Sequence, residues 1–350
     1  MPPTVSICLP NLNNRAYLGE RLETIRAQTY SDWELVVSDN FSDDGAWEFL
    51  REEAARDPRI LLAQAPREGM YANWNRCLSR ARGEYVYIAT SDDTMTPDCL
   101  AELVAALEGH PECDIAQCCL HAIDDEGKVM AGWWKLVGAA RFLGDDYLRP
   151  HLRRAPYDGV LHCAMHTIYH SITQVLIRRS AFAKTGPFPT GYGSGGDFCW
   201  GMRAGLNCDV VHVPKFLATW RIHTSQASAG YAETAAERAL MAGMVDAALA
   251  SVPPGSPASR LPTGPLRFPY RYGRHRLEFA GARTPFRRLV ALAGLVFGDP
   301  RVAIGAARLV LAGQRRTFDK AAYVRGLLRR FHLEDHFVRL GPPDAAPMVP

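Results

Sequence analysis

Short apolar runs alternate with longer amphipathic segments through the first hundred residues. The apolar runs are rich in β-branched and aromatic residues and stop at Pro, Asn, Asp or Ser, which is typical of buried strands. They predict strands at 4–9, 33–38, 59–64 and 85–89. Apolar residues three or four positions apart predict helices between them, at 17–28, 46–56 and 72–81. Strands that alternate with helices of this length indicate βαβ units, so we expect an α/β fold with a mostly parallel sheet.

The pattern is less regular after residue 100. It predicts helices at 101–108 and 197–204, strands at 114–121, 174–178 and 216–220, and a Gly- and Pro-rich loop at 186–196. Beyond 231 the sequence is an Ala-rich helix, a Pro-rich linker at about 252–269, and a basic helical segment. We therefore expect an α/β domain over 1–230 and a helical, basic C-terminal region over 231–350.

Polar residues cluster where three predicted strands end, at 11–14, 38–44 and 90–94. In open α/β sheets, ligands bind beyond the carboxyl ends of the strands. The convergence of three polar strand ends therefore predicts a binding site at one edge of the sheet.

The third cluster contains two adjacent carboxylates, Asp92 and Asp93, directly after a strand. Adjacent side chains of an extended segment point in different directions, so one can hold a cation while the other bonds a substrate hydroxyl or a water. Mg²⁺ and Mn²⁺ suit this arrangement, because they take one or two protein carboxylates and fill their shell with water and phosphate oxygens. The alternative is that the pair only shapes a turn.

Nine cysteines without a Cys-x-x-Cys pair suit neither a disulfide framework nor a zinc site, and they favour a reducing, cytoplasmic compartment. The first ten residues lack the basic and apolar regions of a secretion signal. No stretch reaches the roughly 18 uncharged apolar residues that a membrane-spanning helix needs. We expect a protein that does not span a bilayer.

Positive charge is concentrated near the C-terminus. The whole chain carries a net charge of +3, but residues 260–330 contain 16 Lys and Arg against three acids. The segment 283–330 combines apolar runs with these arginines, which favours a peripheral contact with the anionic inner face of a membrane. A helical bundle with a solvated basic face is the alternative. Nucleic-acid binding is not expected, because no nucleic-acid module is visible.

Several motifs follow one another in a characteristic order. The N-terminal motifs are PNLNN, AQTYSDWELVVSDNFSDDG and GMYANWNRCLSRARGEYVYIATSDD, and GYGSGGDFCWGMRAG and WRIHTSQ come later. This series shows a resemblance to family 2 of the inverting glycosyltransferases, which have the GT-A fold. The resemblance covers roughly the first two thirds of the chain. It implies a Rossmann-like GT-A domain whose nucleotide-sugar half is about 1–97 and whose acceptor half is about 98–230.

The resemblance also implies roles for individual residues. Asp197 matches the catalytic base, and Mn²⁺ or Mg²⁺ is the implied cofactor. The cation would be held by Asp92, Asp93 and His223. The donor, a nucleoside-diphosphate sugar with a UDP-sugar favoured, would contact Pro10, Asn11, Asn13, Asp39, Arg67, Gly69, Asn73, Ser91, Asp92 and Asp93. Three positions depart from the family pattern: Thr90 replaces the first acid of D-x-D, Leu12 an aromatic residue, and Gly196 a glutamate.

The implied reaction is inverting transfer of a sugar to the hydroxyl of a glycan, polysaccharide or lipid-linked acceptor, with one carboxylate as base. Trp133, Trp134 and His170 are candidates for the acceptor side, because aromatic faces match the apolar faces of sugars. His162, His166 and His170 recur every four residues, but no acid or cysteine completes a zinc site. A sugar nucleotidyltransferase and a nucleotide-sugar-binding protein with impaired catalysis are the alternative functions.

Overall fold

The computed structural model describes residues 2–165, 167–224, 226, 233–311 and 318–341. Its strands are β1 Val5–Asn11, β2 Trp33–Asp39, β3 Ile60–Gln64, β4 Tyr85–Ile88, β5 Ile115–Ile123, β6 His151–Arg153, β7 Val175–Arg178, β8 Val210–Arg221 and β9 Phe337–Arg339. Its α-helices are α1 Arg15–Arg26, α2 Ala46–Arg56, α3 Met70–Arg80, α4 Cys99–Gly109, α5 Gly138–Leu143, α6 Tyr157–Ala164, α7 Ala181–Thr185, α8 Gly196–Asn207, α9 Ala235–Ala250, α10 Thr263–Gly281, α11 Pro285–Gly298, α12 Pro300–Leu311 and α13 Lys320–Arg330.

These strands form one mixed sheet in the order β3-β2-β1-β4-β7-β5-β8-β6-β9. The four N-terminal strands are parallel, as predicted. The expectation of a mostly parallel sheet is wrong for the second half, because β7 runs antiparallel to both of its neighbours and β6 runs antiparallel to β8 and β9. Because β7 is antiparallel to both β4 and β5, strands β4 and β5 run in the same direction. Strand β8 is parallel to β5, so it ends at the same sheet edge as β1, β2 and β4.

Both faces of the sheet are covered by helices. Successive residues of a strand point to opposite faces, and the two hydrophobic clusters follow this alternation. Val5, Ile7 and Leu9 belong to one cluster, whereas Cys8 belongs to the other. Burial on both faces explains why these strands appear in the sequence as continuous apolar runs.

The predicted strands and helices of the first hundred residues all form, with ends within two residues of the prediction. The strands β6 and β9 were not predicted, because three residues are too few to show a period. Strand β8 starts six residues before the predicted edge strand. His162 lies in α6 and His170 lies beyond its end, while His166 and the predicted boundary at residue 230 lie outside the described residues.

The C-terminal region packs directly on the sheet domain. Helix α9 packs against α8, α10 against α9 and α6, and β9 extends the sheet beside β6. Helix α10 begins at Thr263, inside the segment predicted as a linker, and contains Pro269. Pro269 has no N–H to donate to the carbonyl of Pro265, and the Tyr323 hydroxyl donates to that oxygen instead, at 2.8 Å. The long-range hydrogen bond compensates the break in the helix. Among the described residues, no single helix is long and apolar enough to cross a membrane.

Candidate active site at the carboxyl edge of the sheet

Asp39 ends β2 beside the end of β1, and its carboxylate is held from several directions. Asn11 lies opposite it in the parallel register and donates from Nδ2 at 2.8 Å. Ser42 donates from its backbone N–H at 2.9 Å and from its hydroxyl at 2.6 Å. Pro10 lies in the same strand, opposite Ser38. The adjacent ends of two parallel strands therefore fix a buried carboxylate at the sheet edge.

The loop after β1 is tied to the loop after β2. Asn13 has a φ of 53°, a left-handed conformation that asparagine tolerates better than most residues. It exchanges two hydrogen bonds with Asp43, at 2.8 and 3.0 Å. Arg67 donates to Asp43 at 3.1 Å and to the carbonyl of Asn40 at 3.0 Å. The hydrogen bonds from Arg67 and Asn13 lower the pKa of Asp43.

Helix α3 closes this region from the other side. It starts after Gly69, whose φ of 99° favours glycine. Asn73 donates from Nδ2 to the carbonyls of Ser38 at 3.0 Å and Asn11 at 3.3 Å. The Oδ1 atoms of Asn11 and Asn73 are buried without a partner among the described residues. Two unused acceptors therefore sit beside the Asp39 carboxylate, where N–H or O–H groups of a ligand could satisfy them.

Sequence reasoning missed Phe41. Its side chain is 51% exposed, its φ is 52°, and its carbonyl accepts from Arg67 at 2.5 Å. The backbone around the Asp39 pocket therefore holds an aromatic ring in solvent. Leu12, at the predicted stacking position, is also exposed.

Asp92 meets His223 across the site. Asp92 follows β4 and His223 follows β8, and the Asp92 Oδ2 atom lies 3.0 Å from His223 Nε2. The two residues come together because both strands end at the same sheet edge. Asp92 is partly exposed, whereas Ser91 is buried and accepts a hydrogen bond from Asn14 at 2.6 Å.

Asp93 occupies a different environment from its neighbour. It is buried, and its oxygens accept from the Arg221 backbone N–H at 2.8 Å, from Thr90 at 2.5 Å and from Ser171 at 3.3 Å. Burial, and next the negative charge of Asp92, raise the pKa of Asp93 to about 7. The sequence predicts Asp93 as a cation ligand, and in the structure its carboxylate accepts these hydrogen bonds from within the protein, with Thr90 among the donors.

Buried Arg221 holds the Asp92 segment in place. Its Nε donates to the Asp92 carbonyl at 2.7 Å, its Nη2 pairs with Glu20 at 2.5 Å, and its Nη1 donates to the Asp125 carbonyl at 2.9 Å. The Tyr17 ring lies 5.1 Å from the His223 ring. Glu20, Asp125 and Tyr17 carry no local sequence signal, because they come from α1 and from the loop after β5, both distant in sequence from Asp92.

Asp197 lies in the first turn of α8, at the positive end of the helix dipole. Its Oδ1 accepts from the Phe198 backbone N–H and from the Tyr71 hydroxyl, both at 2.7 Å. The Tyr71 hydroxyl oxygen also lies 2.8 Å from the carbonyl oxygen of Ser194, so its single proton is shared between the two acceptors. Burial raises the pKa of Asp197, and the hydrogen bond from Tyr71 opposes that shift. The tyrosine therefore joins the acid, the glycine-rich loop and α3.

The geometry also accounts for Gly196. A Cβ atom at this position would lie 2.4 Å from both the Pro189 carbonyl oxygen and the Tyr71 ring. Any larger residue would displace Tyr71, which positions Asp197. A cavity of about 270 Å³ opens beside this contact, lined by Glu68, Gly69, Met70, Tyr71, Ala72, Thr190, Gly193 and Ser194.

Three aromatic side chains gather next to Asp93. The Trp133 ring centroid lies 5.1 Å from those of His170 and Trp220, and His170 and Trp220 are 4.6 Å apart. Burial lowers the pKa of His170 to about 4, so its ring is neutral at neutral pH. Trp134 does not join the cluster, because it stacks on Tyr147 over the core. Trp220 is the member that the sequence did not reveal.

The family model "Glycosyl transferase family 2" matches residues 6–184, about half of the chain. The chain belongs to glycosyltransferase family 2. It is 36% identical over 110 residues to EpsE of Bacillus subtilis, a protein named as a glycosyltransferase. That match covers 31% of this chain and 40% of EpsE. The chain thus spans well under two thirds of the length of the first curated relatives that it matches, 28% of one and 40% of EpsE.

Two solved structures share the fold of this glycosyltransferase. TarS of S. aureus in complex with UDP-GlcNAc has a TM-score of 0.60 at 16% identity, over 86% of this chain and 83% of that one. The mannosyltransferase PcManGT of Pyrobaculum calidifontis, in complex with GDP-Man and Mn²⁺, has a TM-score of 0.50 at 20% identity, over 95% and 88%. The predicted GT-A fold and the predicted family are confirmed.

Asp92 and His223 are the candidate ligands for a divalent cation in this family 2 chain. No three His, Cys, Asp or Glu side chains in the described part of the chain come together as a cation site. The pair of Asp92 and His223 supplies one carboxylate and one imidazole. Mg²⁺ and Mn²⁺ in phosphate sites need only one or two protein ligands, because water and phosphate oxygens complete the shell.

Proposed function

We propose that the chain transfers a sugar from a nucleoside-diphosphate sugar to an acceptor hydroxyl, with inversion at the anomeric carbon. The observation that carries the proposal is the 3.0 Å approach of Asp92 and His223 at the sheet edge, where the Asp39 pocket also lies. A divalent cation held by these two side chains, beside the polar groups around Asp39, would offset the charge of a departing diphosphate.

The Asp39 pocket is the proposed site of the nucleotide. The carboxylate of Asp39, with the unused Oδ1 acceptors of Asn11 and Asn73, can accept N–H and O–H groups of base and ribose. Phe41 is exposed at the rim, and aromatic faces stack on bases. Uracil presents an N–H that a carboxylate accepts, which is compatible with the favoured UDP-sugar; thymine and guanine present N–H groups too, so the donor panel decides among them. TarS, which shares the fold, is solved with UDP-GlcNAc.

Asp92 and His223 are the proposed cation ligands. When bound, Mn²⁺ or Mg²⁺ supplies Lewis-acid stabilisation of the negative charge on the departing diphosphate. Arg221 keeps the backbone of Asp92 fixed and is itself buried. Asp93 supports the same segment from within the protein, through the hydrogen bond from the Arg221 N–H.

Asp197 is the proposed base. It takes the proton from the acceptor hydroxyl as that oxygen forms a bond to the anomeric carbon and the bond to the diphosphate breaks. Burial raises its pKa, which strengthens its carboxylate as a base. The glycine-rich loop before α8 can close over the donor and exclude water.

Trp133, Trp220 and His170 form the proposed acceptor platform. Indole faces pack against the apolar faces of sugar rings. The Nε2 atom of His170 is buried without a hydrogen-bond partner among the described residues, so it can bond an acceptor hydroxyl. The acceptor is a glycan, a polysaccharide or a lipid-linked intermediate.

The test is release of nucleoside diphosphate from a panel of UDP-, GDP- and dTDP-sugars with Mn²⁺ and a mixed acceptor panel. We expect turnover with at least one donor and a loss of about 100-fold or more in Asp92→Ala and Asp197→Ala, because each removes a group that acts on the transition state. The surface variant Asp246→Asn serves as the control. Turnover that survives both substitutions would contradict the mechanism. Binding without turnover would favour a nucleotide-sugar-binding protein. Release of pyrophosphate from a nucleoside triphosphate and a sugar phosphate, with formation of the nucleotide sugar, would favour a nucleotidyltransferase.

A further inference from the structure

Helices α11 and α12 leave large apolar side chains in solvent. Phe297 is 84% exposed, Phe286 73% and Leu289 63%, and Ile304 on α12 is 56% exposed. No residue of α11 is buried. A soluble domain rarely exposes a contiguous apolar surface of this kind without a partner for it.

The exposed apolar residues of α11 form one stripe. Phe286, Leu289, Val290, Leu292, Val296 and Phe297 recur at spacings of three, four and seven residues, which places them on one side of a helix. This surface, with Ile304 of α12, is called the apolar stripe below. A stripe on the outer side of a helix predicts a binding surface and not a core.

Arginines flank the apolar stripe. Arg283, Arg287, Arg288, Arg301 and Arg308 are all exposed. The one acid between residues 283 and 308 is Asp299, which is buried and pairs with Arg271 at 2.5 Å. The surface therefore presents apolar side chains and uncompensated positive charge together.

The two helices are held at a fixed bend. Their axes meet at 104° at Asp299, whose backbone N–H ends α11 and whose carbonyl begins α12. The Asp299 carboxylate reaches Arg271 and His275 of α10. Gly305 lies so close to Phe268 that a Cβ would approach its ring to 2.4 Å. The stripe is therefore attached rigidly to α10.

We propose that this bent pair docks on the surface of an anionic lipid bilayer. The apolar stripe would enter the boundary between headgroups and acyl chains, and the arginines would contact lipid phosphates. Fourteen and twelve residues make helices of about 21 and 18 Å, too short to cross a hydrocarbon core of about 30 Å. A second copy of the chain is a poorer occupant, because a symmetric contact would bring the same five arginines face to face.

The docked orientation would also determine how the active site faces the membrane, an inference that rests on the proposed function. Helix α10 packs on α9, and α9 packs on α8, which carries Asp197. A bilayer contact would therefore fix the Asp197 site relative to the membrane surface and favour a lipid-linked acceptor.

Cosedimentation with phosphatidylcholine vesicles, with and without phosphatidylglycerol, tests the proposal on the full chain. We expect binding to the anionic vesicles only, at least ten-fold weaker for the triple variant Phe286→Ser, Leu289→Ser, Phe297→Ser. Arg287→Gln with Arg288→Gln should weaken binding roughly 25-fold, from about five-fold per arginine. Leu240→Ser, at a 42% exposed apolar residue of α9, is the matched control and should bind as wild type.

Three results would overturn the proposal: no wild-type binding to anionic vesicles, equal binding by the triple variant, or self-association that the triple variant abolishes without any vesicle binding. Inorganic phosphate alone should not raise the melting temperature; if it does so while vesicles do not bind, the arginines form a phosphate site instead. Circular dichroism melts verify that each variant folds. Vesicle binding does not require donor turnover. A failed turnover assay would therefore contradict only the catalytic proposal, and a failed vesicle assay only the docking proposal.

Discussion

Asp197 is expected to set the acid limb of the pH–rate profile. Burial raises its folded-state pKa, and a base must be deprotonated to act, so kcat/KM should fall as the pH drops through that raised value. The loss should begin at a higher pH than for an ordinary aspartate. Asp197→Asn should cost about 100- to 10,000-fold at neutral pH. A profile that is flat down to the usual aspartate range would contradict the assignment.

Tyr71 is expected to act as a positioning residue for Asp197. Its hydroxyl donates to the carboxylate and lowers the pKa of that acid, so Tyr71→Phe should move the acid limb to higher pH as well as reduce kcat. Tyr192→Phe, in the glycine-rich loop before α8, is the control and should leave the profile unchanged. A purely structural role for Tyr71 would change kcat without moving the limb.

Phe41 is expected to contribute to donor binding. Stacking of a base on an aromatic ring is worth about 1–3 kcal/mol, so Phe41→Ala should raise the KM for the nucleotide sugar by about 5- to 150-fold with little change in kcat. Substitution of the exposed Val129 by Ala is the control. An unchanged KM would exclude Phe41 from the donor site.

At the scale of elements, the packing of α8 on its neighbours depends on glycines. Gly196→Ala brings a Cβ against Pro189 and Tyr71, and a displacement of about 1 Å at the base can cost 100-fold in rate. Gly191→Ala is the control in the same loop, because nothing lies within 4 Å of its Cβ position. Comparable rates for the two variants would show that the close contact has no catalytic consequence.

Helices α6 and α8 approach each other through Gly159 and Gly205. A Cβ on Gly205 would lie 2.5 Å from the Gly159 nitrogen, so Gly205→Ala should lower the free energy of unfolding by about 1–3 kcal/mol. Gly243→Ala, at an open helical position, should raise it by about 0.5–1 kcal/mol. Urea unfolding midpoints measure both, and shifts of the same sign would refute this account of the contact.

At the scale of the whole molecule, the site joins segments from across the sheet domain. The residues around Asp92 come from β4, β8, α1 and the loop after β5, so a bound donor should stabilise the entire domain. UDP with Mn²⁺ at about 100 times its dissociation constant should add about 2.7 kcal/mol to the free energy of unfolding.

Asp92→Ala should abolish the Mn²⁺-dependent part of that stabilisation, which thermal melts with and without Mn²⁺ detect. The Asp246→Asn variant should melt like wild type under both conditions. Equal Mn²⁺ dependence in wild type and Asp92→Ala would place the cation elsewhere.

The sequence by itself determined the local features of this protein. Apolar runs and helical spacing predicted the first four strands and the helices between them, because burial on two faces leaves a continuous apolar signature. Ordered motifs around Asp39, Asp92 and Asp197 predicted family 2 membership and the GT-A fold, which are confirmed. The roles of those residues stay predictions.

Only the tertiary structure decided which residues from distant segments contact one another in the site. In the folded chain Asp93 is buried and accepts hydrogen bonds, whereas Asp92 faces His223. The sequence does not distinguish these two adjacent aspartates, because the difference depends on contacts with Arg221, Thr90 and Ser171. The tertiary structure likewise placed Trp220 beside Trp133 and stacked Trp134 on Tyr147. The reason is physical: hydrogen-bond partners, burial and the close approach at Gly196 are properties of contacts between residues far apart in the chain, whereas periodicity and motifs are properties of neighbours.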